Sequence, residues 1–268
     1  MRQDLAAAEY RSGDWMRRRF GLEGKVALVV GGSRGIGRAI GMAFADAGAD
    51  IAVVGRSPDA LARAVDEITG LGVRACGLAV DIGDRAGRQA IVPDAIAALG
   101  KVDILVNCAG AKPLRGDMLS RDVSVFENLL DVNVLAYYEL CIAAAREMKT
   151  RSWGRIINIS SATGLKARSG MGEYAITKAA EIMMARSFAV ELGEHGITVN
   201  ALAPILTRTE FSAAQLADPS DVERVLAAQA IKRIAEPDDV AGAALLLASD
   251  AGAFITGSTL SVDGGALA

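Results

Sequence analysis

Two side chains in the segment GEYAITKAAEI, residues 172–182, could carry out proton chemistry together. Tyr174 and Lys178 are four residues apart, and a helix has about 3.6 residues per turn, so both side chains leave the same face. A nearby ammonium favours the phenolate and lowers the pKa of a tyrosine hydroxyl, which is ordinarily about 10. The alternative is a surface tyrosine that packs on a lysine stem. The pair alone does not distinguish these interpretations.

The elements that must position this pair alternate between short aliphatic strands and longer amphipathic helices. The chain is 51% hydrophobic but only 4% aromatic, which is typical of aliphatic strands buried between helices. We therefore expect an α/β fold, with one doubly wound, Rossmann-type parallel sheet of about seven strands and helices on both faces. The predicted strands are 25–30, 51–54, 74–80, 102–106, 155–160, 197–202 and 258–262, and the predicted helices are 36–48, 58–70, 84–99, 119–149, 174–194 and 238–249.

Neither a repeat nor a linker interrupts this alternation, so residues 22–268 are predicted to form a single domain. Residues 1–21 are expected to form an N-terminal arm, because they lack the apolar core of a secretory signal and contain acidic residues that are atypical of a transit peptide. The segment 204–236 departs from the alternation and follows the sixth strand. It is predicted to be a short substrate lid at the carboxyl ends of the strands.

Charge and cysteine content exclude several classes of protein. The net charge of −3 is spread along the chain, which indicates no nucleic-acid interface. Cys76, Cys108 and Cys141 show no CxxC spacing and are typical of reduced thiols in a cytoplasmic protein. No apolar run reaches the roughly 18 residues of a membrane span. No cluster of residues has metal-ligand spacing, and His195, before a predicted helix-ending Gly196, is expected to be structural.

A glycine-rich turn follows the first predicted strand and opens the first predicted helix, in VVGGSRGIGRAI, residues 29–40. Gly31, Gly35 and Gly37 would permit a tight turn and a close approach of the backbone to a pyrophosphate. The free N–H groups of a helix N-terminus favour an anion at the same place. The turn therefore predicts a dinucleotide-binding site, although glycine-rich turns also occur without a ligand.

The end of the second predicted strand indicates which dinucleotide. An acidic residue there would accept hydrogen bonds from the adenosine ribose and repel a 2′-phosphate. This chain has Arg56 instead, with Arg34 in the glycine-rich turn. Guanidinium groups bind phosphate through paired, charge-assisted hydrogen bonds, so the two arginines favour NADP(H) over NAD(H). The alternative is that Arg56 is a solvated loop charge.

Five motifs in this order resemble those of the short-chain dehydrogenase/reductase family, over about residues 22–268. They are GGSRGIG (31–37) for the TGxxxGxG loop, NCAG (107–110) for NNAG, DVNVLAYY (131–138) for the mid-helix asparagine, INISSATG (157–164) for the serine, and YAITK (174–178) for YxxxK. This chain departs from the pattern at Val30 and Cys108, where the family has threonine and asparagine. The spacing of thirteen residues before Tyr174 selects Ser161 rather than Ser160. The likeness is greatest to the polyol and sugar-acid dehydrogenase and 3-oxoacyl reductase branches.

The resemblance implies an NADP(H)-dependent oxidoreductase with four catalytic residues. Hydride transfer to a carbonyl leaves an alkoxide that needs a proton, which Tyr174 would supply as general acid. Lowering its pKa towards about 7 would take about 4 kcal/mol of stabilisation of the phenolate, partly from Lys178. Ser161 would hydrogen-bond to the substrate oxygen. The resemblance also gives Lys178 the nicotinamide ribose and Asn133 a water of the proton relay, although Asn133 could equally cap a helix kink.

Further cofactor contacts follow from the resemblance. Asp81 would contact the adenine, with a helix N-cap as the alternative, and Pro204 and Thr209 would contact the nicotinamide side. Ile205 stands where the family usually has glycine, which leaves the local backbone path open and is expected to narrow the roof of the pocket. The whole predicted cofactor set is Gly31, Ser33, Arg34, Gly35, Ile36, Gly37, Arg56, Ser57, Asp81, Ile82, Asn107, Ala109, Gly110, Tyr174, Lys178, Pro204, Thr207 and Thr209.

The substrate pocket is predicted from residues 111–117, 162–173 and 205–236, and the expected substrate is a small polar or polyhydroxylated carbonyl. Basic side chains there could favour an anionic or polyhydroxylated molecule, or could be ordinary solvated charges: Lys112, Arg115, Lys166, Arg168 and Arg208. The main alternative is a 3-oxoacyl-thioester reductase acting on a carrier protein or coenzyme A. Ser152 and His195 occupy the positions that carrier-protein reductases use for basic docking residues, which mildly disfavours the carrier protein.

Two alternatives of another kind are a non-catalytic NADP-binding sensor or scaffold and a sugar-nucleotide epimerase or dehydratase. The intact set of four catalytic residues argues against the first, and the short C-terminal region argues against the second. The resemblance also implies a homotetramer in which the helices 119–149 and 174–194 pack against symmetry mates. No nucleic-acid or membrane partner is expected.

Overall fold

One parallel sheet of seven strands organises the computed structural model, which describes residues 14–112 and 115–268. The strands are β1 (Val26–Val30), β2 (Asp50–Gly55), β3 (Ala75–Ala79), β4 (Ile104–Asn107), β5 (Gly154–Ile159), β6 (Ile197–Pro204) and β7 (Thr259–Val262). Their order is β3-β2-β1-β4-β5-β6-β7, and every neighbouring pair is parallel. The expected doubly wound sheet is confirmed. Its strand order reverses between β1 and β4, where such sheets bind ligands at their carboxyl ends.

Helices cover both faces of this sheet. They are α1 (Asp14–Phe20), α2 (Gly35–Asp46), α3 (Pro58–Thr69), α4 (Arg85–Leu99), α5 (Val123–Leu130), α6 (Ala136–Lys149), α7 (Gly172–Leu192), α8 (Ala213–Leu216), α9 (Pro219–Ala228) and α10 (Pro237–Ala248). None of them, within the part of the chain described, is long and apolar enough to cross a membrane. Of the N-terminal arm, residues 1–13 lie outside the described residues, and α1 lies against the turn Asp250–Gly252.

The core consists of one apolar cluster on each face of the sheet. In β1, Val26, Leu28 and Val30 pack with α4, α6 and α7, whereas Ala27 and Val29 pack with α2, α3 and α10. Successive side chains of a strand point to opposite faces, so a strand buried on both faces must be apolar throughout. This explains why unbroken aliphatic runs predict these strands to within two residues at each end.

The predicted helix 119–149 is interrupted in the structure. A short 3-10 turn at Met118–Ser120 precedes α5, and a π-helical turn at Asp131–Leu135 separates α5 from α6. Asp122 caps α5 by accepting a hydrogen bond from the Ser124 N–H. A π-helical turn admits one extra residue per turn and often marks a functional site. The apolar spacing of the segment does not report it.

The segment 204–236 contains α8 and α9 and forms one wall above the carboxyl ends of the strands. A third apolar cluster joins it to the residues that follow β5, through Ala162, Ile205, Val225, Ile234 and Ala235. The Ile205 N–H donates to the Val262 carbonyl (3.1 Å), so the chain continues in register past β6 although it lacks the usual glycine.

Candidate active site

A cavity of about 1110 Å³ lies at the carboxyl ends of the strands, where the strand order reverses. The glycine-rich turn, the ends of β4 and β5, the start of α7 and the segment 204–236 form its walls. The predicted site residues that line it are Gly31, Ser33, Arg34, Gly35, Ile36, Gly37, Arg56, Asp81, Ile82, Ala109, Gly110, Ser161, Tyr174, Lys178, Pro204, Thr207 and Thr209. Three others, Ser57, Asn107 and Asn133, lie outside its lining.

The glycine-rich turn brings backbone rather than side chains to the cavity. Gly31 has φ +84°, and a Cβ on it would lie 2.6 Å from the Ala109 nitrogen. A Cβ on Gly37 would lie 2.3 Å from the Gly31 carbonyl oxygen. No side chain caps the N-terminus of α2, and its first turn contains no acidic residue. Free N–H groups and the helix dipole therefore face the cavity, which fits the pyrophosphate of a dinucleotide.

Two arginines, at the glycine-rich turn and at the end of β2, each form an ion pair with a carboxylate of the cavity lining. Arg56 forms an ion pair with Asp81 (3.6 Å), and its side chain is 78% exposed. Arg34 reaches across the cavity to Glu210 (2.6 Å). The N-cap of α4 is Asp84, not Asp81, so the capping alternative for Asp81 is wrong.

Two predicted cofactor contacts have structural partners instead. Ser57 caps α3 by accepting a hydrogen bond from the Ala60 N–H (3.4 Å). Asn107 is fully buried, and its Nδ2 donates to Asn158 Oδ1 (3.0 Å), joining β4 to β5 below the cavity. Each therefore supports the loop beside it and does not itself face the cavity.

Of the two serines after β5, the one that motif spacing selects, Ser161, interacts with Tyr174. Ser161 Oγ accepts a hydrogen bond from the Thr163 N–H (3.1 Å), and the Ser161 side chain acts to lower the pKa of Tyr174. The Ser160 hydroxyl donates instead to the main-chain carbonyl of Lys178 (2.7 Å). Ser161 and Tyr174 thus present adjacent hydroxyls to one point of the cavity.

Lys178 has a buried carboxylate partner that sequence analysis missed. Its Nζ donates to Glu181 Oε1 (2.8 Å) and Oε2 (3.0 Å), and to the Ile159 carbonyl (3.2 Å). Glu181 is fully buried, and its burial, opposed by Lys178, raises its pKa to about 7. The signal was available, because a residue three positions after Lys178 lies on the same helix face.

The protein's own groups do not lower the pKa of Tyr174, contrary to the expectation. Burial raises it most and the charge of Glu181 raises it further, while Lys178 and Ser161 lower it. The Lys178 Nζ lies 5.4 Å from the centre of the Tyr174 ring. The carboxylate of Glu181 offsets part of the effect of the Lys178 ammonium on the pKa of Tyr174. The phenol therefore stays protonated at neutral pH.

Asn133 lies in the π-helical turn and ties three elements together. It is fully buried, its Oδ1 accepts from the Ala111 N–H (2.8 Å), and its Nδ2 donates to Thr177 Oγ1 (3.1 Å). Neither hydrogen bond goes to the backbone of its own helix, so the amide does not cap the kink. It braces the loop after β4 and the start of α7 instead.

The remaining lining residues vary in character. Ile205, 7% exposed, lines the cavity from above, as the expected narrowing of its roof requires. Burial raises the pKa of the Cys108 thiol to about 12, so it is not a nucleophile at neutral pH. Arg208 pairs with Glu236 (2.9 Å) and does not line the cavity, so its predicted place in the basic rim is wrong. No group of three or more possible metal ligands occurs within residues 14–112 and 115–268.

Comparison with known proteins assigns the family. Residues 30–266 match a family model described as enoyl-(acyl carrier protein) reductase, of the short-chain alcohol dehydrogenase type. The chain is 38% identical to L-rhamnose 1-dehydrogenase (NAD(P)(+)) of Sphingomonas sp. strain SKA58, over 91% of this chain and 96% of that protein. The chain belongs to the short-chain dehydrogenase/reductase family. This confirms the resemblance read from the five motifs.

Solved structures agree with this assignment. A 7α-hydroxysteroid dehydrogenase complexed with NADH and 7-oxo glycochenodeoxycholic acid is 36% identical, with a TM-score of 0.88 over 92% of this chain and 96% of that one. Gluconate 5-dehydrogenase from Burkholderia cenocepacia, in complex with NADP and tartrate, is 33% identical, with a TM-score of 0.88 over 93% and 98%. This short-chain dehydrogenase/reductase is an oxidoreductase of alcohols or carbonyl compounds that uses a nicotinamide cofactor.

Two glycines of α2 provide a matched test of the close backbone approach in this enzyme. Gly37→Ala places a methyl group against the Gly31 carbonyl, and we expect a loss of about 1–3 kcal/mol in the free energy of unfolding, with weaker cofactor binding. Gly41→Ala meets only Ile68 at 3.7 Å and Ile51 at 3.9 Å, and should gain about 0.5–1 kcal/mol from helix propensity. Urea unfolding and cofactor fluorescence titration measure both effects. Equal effects of the two substitutions would contradict the close backbone approach between Gly37 and Gly31.

Proposed function

We propose that this short-chain dehydrogenase/reductase interconverts a ketone and a secondary alcohol with NADP(H), with Tyr174 as general acid and base. The observation that carries the proposal is that the Ser161 and Tyr174 side chains line one cavity beside the buried ammonium of Lys178. Such a pair can hold a carbonyl oxygen and supply its proton.

Each residue has a distinct part in the reduction of a ketone. Ser161 donates a hydrogen bond to the carbonyl oxygen and holds it near Tyr174. The bound nicotinamide supplies the hydride and, once oxidised, a positive charge. Tyr174 gives its proton to the oxygen as negative charge develops there, and Lys178 stabilises the phenolate that remains. Asn133 acts through its neighbours by bracing Ala111 and Thr177.

The raised pKa of Tyr174 predicts how the rates of the two directions depend on pH. A phenol that stays protonated at neutral pH is ready to donate a proton, whereas alcohol oxidation requires the phenolate. We therefore propose that the rate of reduction is maintained near neutral pH and that the rate of oxidation increases as pH rises.

NADP(H) is proposed as the cofactor because of charge at the β2 end of the cavity. Arg34 and Arg56 both line this region, and each now pairs with an exposed carboxylate that a 2′-phosphate could replace. The enzyme's relatives differ in this respect, since one solved neighbour holds NADP and another NADH.

A small polar or polyhydroxylated carbonyl is the proposed substrate. The cavity presents many polar side chains beyond the catalytic hydroxyls, and the similarity to L-rhamnose 1-dehydrogenase and gluconate 5-dehydrogenase supports this class. The second candidate is a 3-oxoacyl-thioester reductase, which is favoured by similarity to a 3-oxoacyl (acyl-carrier-protein) reductase from Agrobacterium tumefaciens, 34% identical with a TM-score of 0.88.

We also propose a cytoplasmic homotetramer. Ile176, Met183 and Val190 recur every seven residues along α7 and are all exposed, which forms a stripe on one helix face, and Tyr138 of α6 is exposed as well. The helices α6 and α7 are the ones that the family resemblance assigns to subunit contacts. All three cysteines are free thiols, which supports a reducing compartment.

Removal of one hydroxyl tests the catalytic role. Tyr174→Phe should lower kcat by about 10²–10⁴, because the general acid is lost, while NADPH binding should persist. Steady-state assays of NADPH absorbance and fluorescence titration of NADPH measure the two quantities. Tyr138→Phe, at an exposed tyrosine outside the cavity, is the matched control. Full turnover in Tyr174→Phe would refute the mechanism and revive the sensor alternative.

Reversal of one charge tests the choice of cofactor. Arg56→Asp should raise the KM for NADPH roughly tenfold or more, because a charged hydrogen bond is replaced by repulsion, and should improve the use of NADH. Arg63→Asp, which makes the same change on exposed α3 outside the cavity, is the control. An unchanged ratio of kcat/KM for NADPH and NADH would contradict the NADP assignment.

Glu181 generates a prediction about pH dependence. Lys178, Tyr174, Tyr137, Cys108 and Ser160 face its carboxylate. Replacing it with glutamine removes a negative charge that raises the pKa of Tyr174. The pKa of Tyr174 therefore falls in this variant. As pH rises, carbonyl reduction, which needs the protonated phenol, should decline at a lower pH than in the parent enzyme. Alcohol oxidation should likewise begin at a lower pH than in the parent.

The matched control for this shift is Glu173→Gln in the same helix. Glu173 is also buried, but it pairs with Arg121 (3.2 Å) and lies outside the cavity lining. Full profiles of kcat/KM against pH in both directions make the comparison. If the Glu181→Gln and Glu173→Gln profiles coincide with that of the parent enzyme, Glu181 has no influence on Tyr174.

A further inference from the structure

Three guanidinium groups from separate parts of the chain meet at the substrate side of the cavity. Arg115 follows β4, Arg168 precedes α7, and Arg224 lies on α9. The Gly116 N–H donates to the Gly170 carbonyl (3.2 Å), which joins the two loops that carry Arg115 and Arg168. Sequence analysis placed Arg115 and Arg168 in a basic rim and missed Arg224, which only the fold of α9 brings to this wall.

One buried carboxylate holds two of these arginines. Asp221 is 3% exposed, accepts a hydrogen bond from Arg115 and forms an ion pair with Arg224. Two positive groups therefore share a single negative charge. The arrangement orients both guanidiniums along the cavity wall without neutralising them.

Arg168 completes the group and adds a further positive charge. It is half-buried, and no carboxylate of residues 14–112 or 115–268 lies within ion-pair distance of it. Its burial, with the like charges of Arg224 and Arg115, lowers its pKa. Arg115 and Arg224 are partly exposed, but like charges that meet at one wall still repel one another until an anion joins them.

The acidic groups elsewhere in the cavity cannot provide that anion. The acidic residues that line it are Asp81, Glu210 and Asp221, and the first two pair with Arg56 and Arg34 at the cofactor end. Asp218, at the N-cap of α9, lies outside the lining, but its carboxylate also interacts with Arg115 and Arg224. Three guanidiniums and two carboxylates leave a surplus of one positive charge at the substrate end. Lys166, another lining residue, increases this surplus.

We propose that Arg115, Arg168 and Arg224 form a subsite for an oxyanionic group of the substrate, a carboxylate or a phosphate, remote from the carbonyl that Tyr174 protonates. Guanidinium groups bind both oxyanions through paired hydrogen bonds. The substrate is then an oxo acid or a phosphorylated ketone, and the product is the corresponding hydroxy compound. This inference rests on the proposed function and narrows its substrate class.

The first experiment measures binding, independently of turnover. Isothermal titration of the NADPH-loaded enzyme uses tartrate, the neutral threitol, which has the same carbon skeleton, and inorganic phosphate. We expect tartrate or phosphate to bind at least roughly tenfold more tightly than threitol, and this affinity to weaken with added salt. Tighter binding by tartrate indicates a carboxylate source, and tighter binding by phosphate indicates a phosphorylated one.

Arg168→Ala should reduce the affinity for the preferred anion roughly tenfold or more, and Arg168→Lys, which keeps the charge but loses the paired donors, should reduce it less. Arg208→Ala is the control. It removes an exposed arginine of the same wall, which pairs with Glu236 outside the cavity, and should leave the affinity for the anion unchanged. Equal anion affinity in Arg168→Ala and Arg208→Ala, or threitol binding as tightly as tartrate, would overturn the subsite.

The second experiment compares oxo acids of increasing chain length with their methyl esters, by NADPH absorbance. The parent enzyme should prefer the acid at one chain length by roughly tenfold or more in kcat/KM, and Arg168→Ala should reduce that preference. Esters reduced as well as acids at every length would overturn the subsite and leave the oxidoreductase proposal intact. Anion binding at Arg168 with Tyr174→Phe as active as the parent would instead overturn the mechanism and leave the subsite intact.

Discussion

The reversal of strand order between β1 and β4 is the constraint on which the site depends. A parallel strand buried on both faces must be followed by a helical crossover, and crossovers that leave neighbouring strands towards opposite faces diverge. The gap between them is the cavity, open at the carboxyl ends of the strands. Backbone of the glycine-rich turn enters it from one side and the hydroxyls after β5 from the other. The topology of the sheet thus places the glycine-rich turn and the hydroxyls after β5 at the same cavity.

Within that cavity, electrostatics at Tyr174 result from opposed neighbours rather than from Lys178 alone. Lys178 is held between the Ile159 carbonyl and Glu181, so its position is well defined but its charge is partly offset. Burial and Glu181 then keep the phenol in its protonated form. The same carboxylate therefore orients the ammonium and moderates its effect, and this combination distinguishes the chain from a simple tyrosine–lysine pair.

The features that depend on neighbouring residues in the sequence were predictable from the sequence. Aliphatic runs identified the seven strands, and motif spacing identified Ser161, Tyr174 and Lys178, which line one cavity. The π-helical turn at Asn133 was not predictable, because it depends on partners contributed by distant loops. Arg224 and Arg208 illustrate the same limit. Both are basic residues of the segment 204–236, and only the packing of that segment turns the first towards the cavity and the second towards Glu236.

The small apolar cluster around Ile205 has a consequence for native-state fluctuations. Because Ile205 packs with Ala162, Val225 and Ile234, the wall formed by 204–236 is attached to the residues after β5 by buried hydrocarbon. Opening that wall exposes this surface to water and costs free energy, so the amides of α9 open together rather than one by one. Opening of this wall is therefore a cooperative, sub-global fluctuation, and the residue that replaces a family glycine sets part of its free energy.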